Sequence, residues 1–213
     1  MAAKSNSVLA WHFLHESGRL QYDDNRKPKK GRRLRTKSRR AIMVCQNGMH
    51  ASKVIGNALK YAPGAILCRV KIEGEIAHDC DKLAGRYRTI LEMIDFAPYL
   101  KLMIDEFIER AAKSDLLTNR HWGTYYDSYR TLVQPFMRGE VKTLGPVDGL
   151  SSAGILYHLK RSLQGQVLDP ECFPNIASVA RELFDDFAEG NDEEWLMRRF
   201  RKHAKDAGLL AQG

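Results

Sequence analysis

The stretch "CQNGMHASKVIGNALKYAPGAILCRVKIEGEI", residues 45–76, carries a turn, a helix signal, a break and a strand signal in close succession. Asn47-Gly48 is a turn pair. Ser52 predicts an N-cap for a helix running to Tyr61, with Val54, Ile55, Ala58, Leu59 and Ala62 on its apolar face. Pro63-Gly64 ends that helix. "AILCRVKIEGEI" then reads as a strand, with Ile66, Cys68 and Val70 on one face. It continues to Ile72 and Ile76 past a bulge or bend at Gly74.

The flanking sequence extends this pattern upstream. "VLAWHFLH" (8–15) is short, apolar and aromatic, as a buried strand is. "RLQYDD" (19–24) pairs with it across Glu16-Ser17-Gly18, and "RAIMVC" (40–45) is a third strand. From residue 88 onward helical periodicity takes over. Leu100, Met103, Ile104, Phe107 and Ile108 form one stripe; Tyr125, Tyr129, Leu132 and Val133 form another. Ser151 or Ser152 caps a segment carrying Ile155, Leu156, Leu159 and Leu163. Ile176, Val179, Ala180, Leu183 and Phe187 follow, and Asn191 caps a last helix with acids first and bases later. The expected class is α+β: a small mixed sheet with a short helix over residues 1–95, then a helical half over 96–213. The boundary falls at "FAPYL", between Asp95 and Tyr99, with 138–150 as a second linker.

Composition sets limits on function. The 213 residues are 44% hydrophobic, enough for a real core, and no apolar run reaches the length of a membrane span. "MAAKSNSVLAWHF" lacks the apolar core of a secretion signal, so a soluble cytoplasmic protein with reduced cysteines is expected. Cys45, His50, Cys68, His78 and Cys80 are metal-ligand types without the paired spacing of a zinc site, so no metal is expected. P-loop, GxGxxG, HExxH and nucleophile-elbow patterns are absent from the sequence.

Charge is concentrated in one place. Arg26, Lys27, Lys29, Lys30, Arg32, Arg33, Arg35, Lys37, Arg39 and Arg40 supply ten of fifteen residues, with no acid among them. They account for ten of the 34 Lys and Arg, leaving 24 against 26 Asp and Glu elsewhere, while the whole chain carries +8. The basicity is therefore local, and such a run suits phosphate or nucleic acid.

Two resemblances follow from the N-terminal half. The order "WHFL…GRL-x-Y", "C-x-x-GMHAS", "ALKYAPG-x-ILCRV", "GEI…DKL…RTIL", over about residues 11–91, resembles a domain family carried by phages and prophages. That resemblance implies the cytoplasm of an infected bacterial host and, by itself, no activity. "LAWHF" (9–13), "GMHAS" (48–52), "NALKY" (57–61) and "ILCRV" (66–70) also resemble, in order, the motifs of ADP-ribosyltransferase-like folds of the poly-ADP-ribose polymerase type. This second likeness implies NAD as cofactor, His12 at the nicotinamide ribose and His50 stacking on the nicotinamide ring. It leaves the third, acidic position to Glu73, Glu75 or Glu92, with Glu92 preferred because it follows "RYRTIL" (86–91). The family's tyrosine is His50 in this chain, and Phe13 replaces its first-motif glycine. Relatives that handle terminal phosphates imply a His12, His50, Arg86 and Arg88 set.

The candidate catalytic residues are thus His12, His50 and Glu92, and the candidate cofactor-binding residues Gly48, Ser52, Tyr61, Arg86 and Arg88. Ser52, at the start of the expected helix, is also placed to offer free amides to an anion. Arg120, His121, Trp122, Tyr125, Tyr126 and Arg130 would suit base stacking. Three functions are expected as alternatives. The first is a phage accessory protein binding a host protein or nucleic-acid complex through residues 26–40 and a helical docking face. The second is an NAD-using, ADP-ribosyltransferase-like enzyme, and the third a virion assembly protein, with oligomers possible.

Overall fold

The computed structural model describes residues 7–20, 24–113, 177, 180, 181, 184 and 191–210. These form, in chain order, β1 (Ser7–Leu14), β2 (Arg33–Arg35), β3 (Met49–Ala51), α1 (Ile55–Leu59), β4 (Ile66–His78), β5 (Leu83–Asp95), α2 (Ala97–Lys113) and α3 (Asn191–Asp206). The class is α+β. The chain divides into two compact units, Met1–Ala97 with Glu194–Gly213, and Pro98–Glu193.

The first unit is organised by a long hairpin. β4 and β5 pair antiparallel from Ile66↔Asp95 to His78↔Leu83. β4 alternates strictly between buried Cys68, Val70 and Ile72 and half-buried Arg69, Lys71 and Glu73, the period a strand requires. The register shifts between Glu73 and Ile76, where Gly74 takes φ +85°, so the expected bulge is present. β1 lies on the outer side of β4, and both β2 and β3 pair with β5, so every named ladder is antiparallel. An isolated parallel bridge, Lys30↔Ile90, adds the one mixed feature among the described residues.

The pairing then closes on itself. Ser52, directly after β3, exchanges both backbone bonds with Trp11 of β1 (2.7 and 2.9 Å). The ring β1–β4–β5–β3–β1 encloses Ala10, Leu14, Met49, Ala51, Val70 and Ile72 in one buried cluster with Cys68, Leu34 and Ile90. The opposite side of β1 carries Phe13, set edge-on to Phe96 at 6.5 Å. α1 and α3 belong to this unit too: a Cβ on Gly56 would meet Met197 and Phe200. Leu196, Phe200, His203 and Ala204 make the buried stripe of α3.

Several sequence expectations are corrected. Ser52 is not a helix cap, because its amide and carbonyl are consumed by Trp11. The helix starts at Ile55 behind Val54, has five residues and has no side-chain cap. Residues 40–45 are irregular, with a turn from 44, and not a strand; Glu75 holds the Ile42 amide and Arg86 the Ser38 carbonyl just upstream. Arg19, Leu20 and Asp24 are not in a strand; Leu20 donates to the Arg26 carbonyl instead (3.0 Å). Residues 88–95 are strand, not helix. "RTILEMID" fits either period, and the unpaired side of β4 offers a complete ladder that outweighs the helix propensity of Leu, Glu and Met.

α2 buries Leu100, Met103 and Ile104, as the helical stripe requires. The expected features at residues 114–176, including the 120–133 aromatic group, the Ser151/Ser152 cap and the 138–150 linker, lie outside the described residues. So do Ile176, Val179, Leu183 and Phe187.

Candidate functional site

Strand register brings the ionisable residues together. His12 lies between Ala10 and Leu14 on the core side of β1 and pairs with Cys68. Arg88 pairs with Ile72 on one side and Leu34 on the other, so it too faces the core, at 3% exposure. Its Nη1 donates to the His50 carbonyl at 3.0 Å, while its Nε has no hydrogen-bond partner. A buried cationic donor left unpaired costs more than a neutral one, and such a group is poised to receive an anion.

The electrostatics follow from this packing. Burial lowers the His12 pKa well below the usual range, and the positive charge of Arg88, then His50, pushes it the same way. His50 is lowered by burial, then by Arg88 and Lys82. Burial brings the Arg88 guanidinium down to about 10 and raises the Cys68 thiol to about 12. Near pH 7 the centre therefore holds neutral imidazoles, a neutral thiol and one guanidinium.

His50 is fixed by its turn. Met49 and Ala51 enter the core cluster, so alternation sets the His50 ring on the other side of β3. Its Nε2 accepts the Cys45 amide at 3.1 Å, which leaves the ring proton on Nδ1. Cys45 reaches that position with φ +66°, a left-handed conformation that costs an L-residue about 1–2 kcal/mol. Gly48, at φ +97°, faces Ala84 and Ile42 at 3.2 Å from where a Cβ would stand. Lys82 is the neighbour that sequence reading missed. Hydrogen bonds to the Cys45 and Tyr61 side chains raise its pKa, and its ammonium stands 4.2 Å from the Tyr61 ring.

His12 and Arg88 share the core side of the sheet, whereas the His50 ring lies on the other side of β3 and Ser52, paired with Trp11, lies on the other face from His12. Glu92, Arg86 and Tyr61 do not join them either. Glu92 pairs with Arg69, opposite Trp11 in the next row, so it lies on the other face from His12. Its carboxylate meets Lys30 at 2.6 Å. Arg86 donates to the Ser38 carbonyl (3.0 Å) and to Glu75, which in turn accepts the Ile42 amide (3.1 Å), so it holds the 38–42 loop. Tyr61 is exposed and donates to Asp81 at 2.7 Å. Among the described residues no group of three or more His, Cys, Asp or Glu is arranged to hold a metal.

The basic segment is shaped by the sheet. Nine of its ten cations are exposed, with Arg26 half-buried. Pro28 and Leu34 are buried, and β2 pairs with β5. Arg26 is tied to Asp24 and to the Arg35 carbonyl, and Arg33 reaches Glu73 at 3.5 Å. Lys27, Lys29, Lys37, Arg32, Arg35, Arg39 and Arg40 keep their side chains toward solvent. None of the described helices is long and apolar enough to cross a membrane. No family model, curated protein or solved structure matches the chain.

Proposed function

We propose that this protein is a phage accessory factor that binds a nucleic acid, or a host nucleoprotein complex, through residues 26–40, in the cytoplasm of an infected bacterium. A docking face on the helical half is part of the same reading. One observation carries it: the cations are exposed along the β5 edge, with only Pro28 and Leu34 anchored beneath. A cationic segment pre-ordered by a sheet loses less entropy on meeting a polyanion than a free tail does.

The test is a heparin and oligonucleotide titration at two salt concentrations, with Arg32, Arg33 and Arg35 replaced together by Ala. The salt slope should shrink by about one for each phosphate that the variant no longer neutralises. Unchanged affinity for every polyanion overturns the reading.

A second reading, an NAD-using, ADP-ribosyltransferase-like site, is favoured by the unpaired Arg88 Nε, which shares the core side of the sheet with neutral His12. Under it the Arg88 guanidinium receives a phosphate or carboxamide oxygen. Saturable NAD binding by calorimetry, lost in His50→Ala, is the expected result. Heat-free titration up to millimolar NAD removes this reading.

A further inference from the structure

Register also organises the other face of the sheet, which no site above uses. Arg33 pairs with Thr89, Thr89 with Lys71, and Lys71 with Leu9, making one row across four strands. The next row holds Arg35, Tyr87 and Glu73. Cross-strand partners share a face, so these side chains stand together on the side opposite the Arg88 core. The rows are open: Leu9 is 53% exposed, Arg33 and Arg35 are exposed, and Lys71 and Tyr87 are half-buried. The Arg33 guanidinium lies 3.8 Å from the Tyr87 ring centroid, and Arg35 stands at 6.0 Å.

We infer that this face binds single-stranded nucleic acid, with the Arg33–Tyr87 stack as the base platform and Lys71, Arg35 and residues 26–40 along the phosphates. The inference rests on the polyanion-binding reading above and narrows it to a substrate class. Charge complementarity favours a polyanion, because Glu73 is the only acid in the two rows and is matched by Arg33 and Lys71. The flat, aromatic character favours single strands. A duplex hides its base faces, whereas an unpaired base can stack on tyrosine or on a guanidinium plane. Leu9 supplies the apolar surface that heparin, which has no bases, cannot use.

Fluorescence anisotropy with a labelled fifteen-nucleotide oligo(dT), the matching duplex and unlabelled heparin tests this directly. The unaltered protein should bind the single strand about tenfold more tightly than the duplex at equal salt, and Tyr87→Leu should lower that affinity about tenfold. Tyr87→Phe should keep it, and heparin affinity should not change in either variant. Should Tyr87→Leu fail to fold, Arg33→Leu and the unaltered protein's own preference decide the matter. Equal affinity for both nucleic acids, or an Arg33 or Tyr87 effect equal on heparin and oligo(dT), overturns the inference and leaves polyanion binding standing. Failure of the unaltered protein to bind either heparin or oligonucleotide overturns both.

Discussion

Arg33 and Arg88 differ by one step across the β2–β5 ladder, since Leu34 is the partner of Arg88 and Arg33 that of Thr89. One arginine is in solvent with its side chain 54% exposed; the other is 3% exposed in the core. The chemistry of the two side chains is the same, so the pleat alone separates them. An exposed guanidinium keeps its water and is available to a partner. The buried one is held by one carbonyl and polarises everything around it. Burial and that charge together hold His12 and His50 in their neutral forms, while burial keeps the Cys68 thiol protonated against the pull of Arg88. A strand position can thus decide whether a cation belongs to a surface or to a centre.

The sharpest way to break this contrast is Arg88→Ala. It empties a core position and leaves the His50 carbonyl without its donor, so a loss of about 2–4 kcal/mol is expected in urea denaturation. Arg88→Met, which keeps volume and removes charge, should recover part of that loss. A loss in Arg88→Ala no greater than that of an Arg33→Ala control would show that the burial contrast has no energetic content.

The histidines give the next effect. Both native pKa values lie below the unfolded one. Below about pH 6.5 the unfolded chain takes up protons that the native one refuses. Stability is therefore full above pH 6.5 and falls as pH drops toward the native values. Between pH 7.5 and 5.5 the fall should be about 1–2.5 kcal/mol for the pair, read from melts at constant ionic strength. His12→Gln should flatten this slope. A slope that is unaltered in His12→Gln would assign it to other groups.

Gly48→Ala comes third, because a Cβ at φ +97° meets both backbone strain and neighbours at 3.2 Å. A loss of about 1–2 kcal/mol is expected from chemical denaturation, and an unchanged midpoint would count against the turn as the device that fixes His50. The smallest effect belongs to the exposed side of the contrast. Arg32→Ala and Arg35→Ala should each change stability by less than about 0.5 kcal/mol while weakening polyanion binding. A lost cooperative melt would mean that these side chains are structural after all.

Part of this was readable from the chain alone. Alternation in residues 66–76 predicts β4, and its Gly74 bulge is present. The apolar-aromatic run near Trp11 predicts β1, an amphipathic stripe predicts α2, and acids early and bases later predict α3. These signals are local: each lies within one element, where period and burial coincide. The Ser52 cap is a local signal as well, and it fails because the bridge to β1 claims the Ser52 carbonyl that an N-cap would give to its helix. "RTILEMID" failed as helix for the same kind of reason, since a free ladder edge was waiting for it.

The sequence by itself determined the chain's charge, its acid-free basic run and the alternation that makes a half-buried hairpin. Only the tertiary structure decided which residues meet. His12 joins Cys68, Arg88 joins the His50 carbonyl, Glu92 stays on the far face, and Arg33 stacks on Tyr87. The physical reason is register. A strand's side chains alternate with a period of two, so a shift of one residue in any ladder would carry every one of these groups to the opposite face. No single segment of the sequence records the register its partner will take.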